Sequence, residues 1–473
     1  MRPVLTVAEM RAVDEAAQAT VSLETLVARA GFAVAAAALD LMGGAYGRRV
    51  VVIAGPGNNG ADGRVAAAVL ARRGARVTVV PVARGIPVPA VGPCDLVVDA
   101  AFGTGFRGEL AGPPVPDGVP VLAVDIPSGV DGDSGVAAGS PLAAAATVTF
   151  AAEKPGLLQG DGPGLAGRVR VADIGLPTAT ARIHVVEDGD VADRVPRRRR
   201  DDHKWRTSVL VVAGSPGMTG AAELCALGAL RAGAGMVRVA VPGAPLGSTP
   251  VTEAVGVALP SLGWADRALE ELARCRALVV GPGLGRDPGT AGEVRRLLAA
   301  APVPAVVDAD ALVALAGAGT VPAPPGAPRV VTPHAGEFRT LTGEDPGPDR
   351  VAAARRLAVG WRTVALVKGT TTAVADPDGS VLLATAATSA LATAGTGDVL
   401  AGVIGALLAR GAPALWAAGL GAHVHGCAGR LGPAEGLRAG DLPDAVSAVL
   451  SALLGPSAAP GPPGTPGPPG GLR

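Results

Sequence analysis

Val50-Val-Val-Ile-Ala-Gly-Pro-Gly-Asn-Asn-Gly-Ala-Asp-Gly63 runs from an unbroken apolar stretch through a glycine-rich turn into an Ala-rich segment that ends near Arg73. A short apolar run closed by glycines reads as a buried strand, so the quoted stretch predicts a strand over Val50–Ala54, a turn over Gly55–Gly60 and a helix over Ala61–Arg73. The apolar runs Val77–Val82, Leu96–Asp99, Val121–Asp125 and Ala146–Phe150 extend the pattern. Strands of this kind predict a mostly parallel sheet covered on both faces, the three-layer arrangement of a Rossmann-like domain. Thr6–Leu41 predicts one or two helices against that sheet, and Val169–Leu176 closes the unit.

The same grammar restarts at Val209–Ala213, which leads through Gly214–Gly220 into a predicted helix from Ala221 to Ala232. Leu278–Val280, Ala305–Asp308, Val330–Thr332, Thr363–Val367 and Thr372–Ala375 predict further strands, and a helical region follows Asp398. The organisation expected is an α/β domain over 1–193, a linker over 194–202, a second α/β domain over 203–454 and a Pro/Gly-rich, disordered tail over 455–473. The run Arg197–Arg200 lacks interleaved aromatics and reads as a solvated linker rather than a nucleic-acid contact.

Composition narrows the function. A chain of 473 residues exceeds what one core organises. Lys plus Arg equals Asp plus Glu, 41 each, so no net field draws the chain to nucleic acid or a membrane. Charges interrupt Met1–Glu15, which argues against a signal peptide, and no apolar run is read as reaching the roughly 18–20 residues of a membrane span. Cys94, Cys225, Cys275 and Cys427 show no CxxC and no Cys/His ligand spacing, as expected of buried thiols in a reducing cytoplasm. The chain otherwise avoids Asn and Lys: Asn58 and Asn59 are its only asparagines, and Lys154, Lys204 and Lys368 its only lysines. Where a general preference is broken, a specific side-chain requirement is a fair hypothesis.

At the first turn, glycines admit a ligand close to the backbone and the following helix presents free N–H groups to a phosphate. The next strand ends in Pro81-Val-Ala-Arg84, without the carboxylate that an NAD dehydrogenase uses on the ribose. Two more loops, Asp99-Ala-Ala-Phe-Gly-Thr-Gly-Phe-Arg-Gly108 and Asp125-Ile-Pro-Ser-Gly-Val-Asp-Gly132, fall where open α/β sheets place their sites. Asn59, Asp99 and Ser128 offer oxygen ligands only, a set suited to a hard cation of low charge. The alternative for Asp99 and Asp125 is plain capping of the turns that follow. These loops, with Thr147–Gly156 and Asp173-Ile-Gly175, resemble the NAD(P)H-hydrate epimerase (YjeF N-terminal) domain over almost all of residues 1–176. The resemblance implies potassium on Asn59, Asp99 and Ser128. It implies that the hydrated nicotinamide nucleotide is held by Asn58, Asn59, Gly60, Ala61 and Asp62, by Gly103, Thr104, Gly105, Phe106, Arg107, Gly108 and Glu109, and by Asp125. Proton transfer at a carbinolamine-type carbon needs a carboxylate beside it, and Asp125 is the candidate. Ala61 departs from the family, which usually has a third glycine there.

In the second half, Ala394-Gly-Thr-Gly-Asp398 precedes the apolar helix expected over Val399–Leu408. Such a turn makes an anion hole, and Asp398 can deprotonate a hydroxyl as it meets a phosphoryl group, the alternative being a helix cap. No GxxxxGK[ST] occurs, which excludes a P-loop enzyme. Gly281-Pro-Gly-Leu-Gly285, Asp308-Ala-Asp310, Thr332-Pro-His-Ala-Gly-Glu337 and Lys368-Gly-Thr-Thr-Thr372 all follow apolar strands, whereas His423 and His425 sit in a helical stretch as structural or surface residues. Residues 203–452 are similar to the ADP-dependent NAD(P)H-hydrate dehydratase (YjeF C-terminal) domain of the ribokinase-like superfamily, although His203-Lys-Trp-Arg-Thr-Ser208 lacks that family's glycines. The resemblance implies that Ala221, Gly283 or Gly285, His334 and Asp398 contact the hydrated substrate. It places the adenine nucleotide on Lys368, Gly369, Thr370, Thr371, Thr372 and Gly397, with Mg2+ on its phosphates. The fused halves then imply epimerisation of hydrated NADH and NADPH followed by nucleotide-driven dehydration in a cytoplasmic homo-oligomer. ADP and ATP stand as alternatives, with the fusion favouring ADP. A hydroxymethyl-type kinase and a non-catalytic scaffold are the rival readings. The first has no use for an epimerase site, and complete loops speak against the second.

Overall fold

The computed structural model describes residues 1–83, 85–86, 88–246, 248 and 251–455; Arg84 and the tail expected to be disordered lie outside them, apart from Gly455. Two large sheets carry the described residues, beside a two-stranded pair of Leu110–Ala111 and Gly139–Ser140. The smaller has six parallel strands in the order Arg76–Pro81, Arg49–Ala54, Leu96–Ala100, Val121–Val124, Ala146–Phe150, Arg168–Ala172. All five residues of Leu96–Ala100 and all four of Val121–Val124 are buried, as strands covered on both faces must be. Chain order reverses on either side of Arg49–Ala54, so a crevice opens at that strand's carboxyl end.

Two helices, Val7–Gln18 and Leu23–Met42, lie over this sheet. The first starts in a capping box in which Thr6 and Glu9 satisfy each other's backbone N–H groups. Contrary to the sequence reading, Leu23–Met42 is long and apolar enough to cross a membrane by length and composition. Its inner face, Leu26, Ala30, Val34, Ala35 and Ala38, is buried in the core of the first unit. Gly31 lets it approach the helix Asn58–Arg72, because a Cβ there would sit 2.5 Å from that of Val65.

The larger sheet has eleven strands. From Val255–Leu259 through Met236–Pro242, Ser208–Val212, Ala277–Val280, Ala305–Val307 and Arg329–Val331 to Val364–Val367 it is parallel, with the same reversal of order around its first strand, Ser208–Val212. Thr372–Ala375 and Val381–Ala384 then add antiparallel strands. Ile183–Val185 and Arg2–Val4 complete the far edge. Segments on both sides of the boundary expected at residue 193 therefore share this sheet. The linker is held to the second unit as well: Arg198 donates to the carbonyl of Gly233 at 3.1 Å, Arg197 to that of Leu454, and Arg410 to that of Pro196.

Gln159 fastens the units together. Its amide donates to the Asp133 carbonyl at 2.7 Å and to Asp349 at 3.0 Å, and accepts from the N–H groups of Arg350 and Val351 at the start of the helix Arg350–Trp361. Gln159→Ala strips buried partners from both sides, so we expect unfolding free energy to fall by about 2 kcal/mol, read from the urea midpoint.

Candidate functional site

The first cavity, of 630 Å³, fills the crevice at the reversal point and is lined by Asn58, Asn59, Asp62, Gly103, Thr104 and Phe106 together with Asp14, Asp125 and Lys154. The helix Asn58–Arg72 begins three residues earlier than the sequence predicts, so the two asparagines occupy its first turn, where no side chain caps the free N–H groups. Ala61 is helical, its N–H bonded to the Gly57 carbonyl at 3.0 Å, and its methyl group imposes no backbone strain. Gly60 carries the tight approach instead: a Cβ there would stand 1.9 Å from the Gly55 carbonyl oxygen.

Asp125 lies just past the strand Val121–Val124 in left-handed backbone, φ +69°, a strained conformation for a residue with a Cβ. Lys154, 1% exposed, donates to its Oδ1 at 2.5 Å and to the Thr149 hydroxyl at 2.8 Å, and that hydroxyl donates to the same Oδ1 at 3.1 Å. Oδ2 is left facing Gly103, where a Cβ would come within 3.4 Å of it and of Asn59 Cγ. Burial, reinforced by the charges of Asp125 and Asp14, pushes the Asp62 carboxyl up to about 8. At neutral pH Asp62 is therefore mostly protonated and able to donate.

Beneath this floor Asp99 is buried and accepts from the N–H groups of Ser128 at 2.9 Å and Ala101 at 3.3 Å, and from the Ser128 hydroxyl at 2.6 Å. No cationic side chain among the described residues bonds to it, and burial holds its carboxyl above the usual range. Both polar atoms of the Asn59 amide are buried without a hydrogen-bond partner. A buried carboxylate, an orphaned amide oxygen and a hydroxyl fit a hard monovalent cation.

Of the residues expected to hold substrate here, Arg107, Gly108 and Glu109 do not line the cavity; the Arg107 guanidinium turns back onto the Phe106 carbonyl at 2.7 Å. Gly60 and Ala61 lie behind the wall rather than in it. Sequence reasoning missed Lys154 and Thr149 as site residues. The scarcity of lysine was the available signal.

The second constellation gathers at the carboxyl ends of Ser208–Val212, Ala277–Val280, Ala305–Val307, Arg329–Val331 and Val364–Val367. The Gly214 N–H donates to the Pro282 carbonyl at 2.7 Å, locking two turns together, and a Cβ at Gly283 would come within 2.9 Å of Ala221 Cβ. Lys368 donates to Asp308 at 2.8 Å, Thr332 donates to the same oxygen at 2.7 Å, and Glu337 stands 3.8 Å from the ammonium. A Cβ on Gly397 would meet Lys368 Nζ at 3.2 Å, so the lysine sits at the start of the helix Thr396–Ala409. Burial, then the charge of Asp308, raises Asp398 to about 7 against the opposing pull of Lys368. Ala309, next to Asp308, is the second non-glycine residue in left-handed backbone at a site, φ +50°. His425, buried and lowered to about 4 by desolvation, is neutral at physiological pH and lies 2.9 Å from the Thr396 carbonyl, holding that helix start in place.

His334 caps the helix Ala335–Thr342 through Nδ1 and reaches the site through Glu337. Thr371 and Thr372 are buried, the hydroxyl of the first donating to the Leu158 carbonyl of the first unit and that of the second to the Gly369 carbonyl at 3.3 Å. Asp308 and Glu337 stood in the quoted motifs without being singled out, because only the fold places them beside Lys368.

The family model described as NAD(P)H-hydrate dehydratase matches residues 209–451. That of the YjeF-related protein N-terminus matches residues 23–89 and 82–156. A bifunctional NAD(P)H-hydrate repair enzyme of Moorella thermoacetica is 39% identical over 465 residues, which cover 85% of this chain and 87% of that protein. The chain belongs to this family of bifunctional repair enzymes. One from Mycobacterium leprae is 37% identical over 479 residues, 95% of this chain and 98% of that protein. A ribokinase-like superfamily protein from Enterococcus faecalis, 20% identical, superposes with a TM-score of 0.50 over 57% of this chain and 96% of its own, which shows the fold of the second unit. The NAD(P)H-hydrate repair family joins an epimerase-type unit to a dehydratase-type unit, and the two crevices described above fall one in each.

Proposed function

We propose that the first cavity interconverts the R and S forms of hydrated NADH and NADPH, and that the second constellation dehydrates the S form at the expense of ADP. The observation that carries this reading is the placement of Asp398: a carboxyl poised near 7, at a helix start, beside a lysine that is itself held by a carboxylate. Hydroxide is a poor leaving group at neutral pH, so the hydroxyl must first be phosphorylated. Asp398 takes its proton as it attacks the β-phosphoryl of ADP, AMP departs, and elimination of phosphate restores the nicotinamide. Lys368 and the N–H groups at Thr396–Gly397 receive the phosphate oxygens.

In the first cavity Lys154 and Thr149 occupy Asp125 Oδ1 and leave Oδ2 to exchange a proton with the substrate hydroxyl. Protonated Asp62 donates to the same region. Asn59, Asp99 and Ser128 would hold a potassium ion, which supplies fixed positive charge beneath the substrate. Asp308 and Glu337 would offer oxygen donors toward Mg2+, which would neutralise charge on the nucleotide phosphates.

The test is stoichiometry. With S hydrate, ADP and Mg2+, chromatography shows one AMP and one phosphate released per NADH formed; NADH formed without nucleotide consumption overturns the proposal. A pH profile follows from the same carboxyl. A base must be deprotonated to act, so dehydration at saturating nucleotide rises about tenfold per pH unit below about 7 and levels above it. Stability responds in the opposite sense. The folded pKa lies above the unfolded 3.8, the native state holds the proton more tightly, and this group's contribution falls as pH rises from about 4 to 7.

A further inference from the structure

The helix Ala414–Leu431 carries His423 and Cys427 four residues apart, one above the other on a single face. Asp188, at the start of the helix Asp188–Arg194, faces them: its Oδ1 lies 2.8 Å from His423 Nε2, and Cys427 Sγ lies 3.6 Å from that nitrogen. The three donor atoms all fall within 4.8 Å of one another. This cluster departs from the sequence reading, in which no Cys/His pair had ligand spacing; the pair becomes visible once both residues are placed on one helix.

The donor set is imidazole, thiol and carboxylate, which suits a borderline-soft divalent ion and not the hard cations of the two crevices. The spacing agrees. Tetrahedral Zn–N and Zn–S bonds put nitrogen and sulfur about 3.6 Å apart, as here. A carboxylate oxygen would need to retreat from the nitrogen by about 0.6 Å to share the ion. Asp188 is free to do so, its side chain being 66% exposed while that of His423 is 9% exposed. The open side leaves a fourth position for water.

We infer that Asp188, His423 and Cys427 form a binding site for a divalent transition-metal ion of the zinc type, separate from both nucleotide-type sites. Binding releases the Cys427 proton to solvent and leaves the thiolate on the metal. His423 Nδ1 has no hydrogen-bond partner, so the ring lacks the outer support that tightens many sites, and the ion is expected to exchange. Occupancy ties the segment that leads into the linker to the helix whose His425 braces the Asp398 turn.

Full-length protein stripped by chelation is titrated with Co2+ in the absence of nucleotide and Mg2+. The expected result is a thiolate-to-cobalt charge-transfer band saturating at one equivalent, absent in Cys427→Ser. Zn2+ affinity by calorimetry falls at least tenfold in Cys427→Ser and in His423→Gln, and the rise in unfolding temperature on adding Zn2+ disappears with it. Cys225 is another thiol near carboxylates, those of Asp398 and Asp308. A band that survives in Cys427→Ser, or a Zn2+ affinity that both variants leave unchanged, overturns the inference. Both are read on protein whose circular dichroism matches the parent chain, and Asp188→Asn, at an exposed position, repeats the affinity test without touching the core.

Discussion

Asp398→Asn lowers NADH recovery from the S hydrate by about 10²–10⁴-fold while epimerisation continues at the parent rate. The substitution keeps the size of the side chain and removes its basicity, so the loss belongs to proton transfer and not to packing. Lys368 keeps its bond to Asp308, and the helix start keeps its brace from His425, so ADP binding by calorimetry stays within about twofold. The rate limb below about 7 vanishes together with the activity, because the group that produces it is gone. A variant with full activity, or one whose ADP affinity collapses, would assign the role elsewhere.

The second large effect falls on the other crevice. Asp125→Asn abolishes exchange between the R and S hydrates, by about 10²–10⁴-fold, and leaves dehydration of the S form intact. Lys154→Met breaks the ion pair with Asp125 from its other side. The ammonium is held by Asp125, Thr149 and the Phe150 carbonyl. Its removal leaves the Asp125 carboxylate among Asp62 and Asp14 without a cation in contact. Breaking a buried pair from one side costs about 3–5 kcal/mol. We expect Lys154→Met to lower the urea midpoint as well as the epimerase rate, and Asp125→Asn to do likewise, because it leaves the buried Lys154 ammonium without its carboxylate. Equal stability in the parent and Lys154→Met would show that the pair does not stabilise this pocket.

Much of this was legible in the chain. Runs such as Leu96–Asp99 and Val209–Ala213 could be read because residues buried on both faces leave no other pattern. The glycine turns marked where strands end, and so where both crevices open. The strand Arg2–Val4 at the edge and its neighbour Ile183–Val185 could not be read: each has three residues, and their partners lie far off in the chain, the first beside the second and the second beside Val381–Ala384. Local periodicity carries no information about pairing at that range. Met236–Pro242 is interrupted by Arg238 and Val255–Leu259 by a glycine, which set both apart from the unbroken apolar runs around them.

The sites divide in the same way. Asp125, Asp398 and Asn59 stand in turns whose composition announces a ligand. The partners that set their chemistry do not: Lys154 lies past another strand, and the bond between Lys368 and Asp308 spans 60 residues. The threonines after Lys368-Gly369 read as phosphate donors, and the hydroxyl of Thr371 among them is bonded across to the Leu158 carbonyl. Only the fold decides which way a hydroxyl turns. The segment from Lys154 to Gln159 thus runs from the first crevice to the second unit, contacting Asp125 at its start and Thr371 and Asp349 near its end.

The most direct measurement follows the near-ultraviolet absorbance of NADH as the purified chain acts on a mixture of both NADH-hydrate epimers with ADP, K+ and Mg2+. Complete recovery, reached in a fast phase for the S form and a slower one limited by epimerisation, is the predicted result. A progress curve that shows no recovery with either ADP or ATP would contradict the account at its centre.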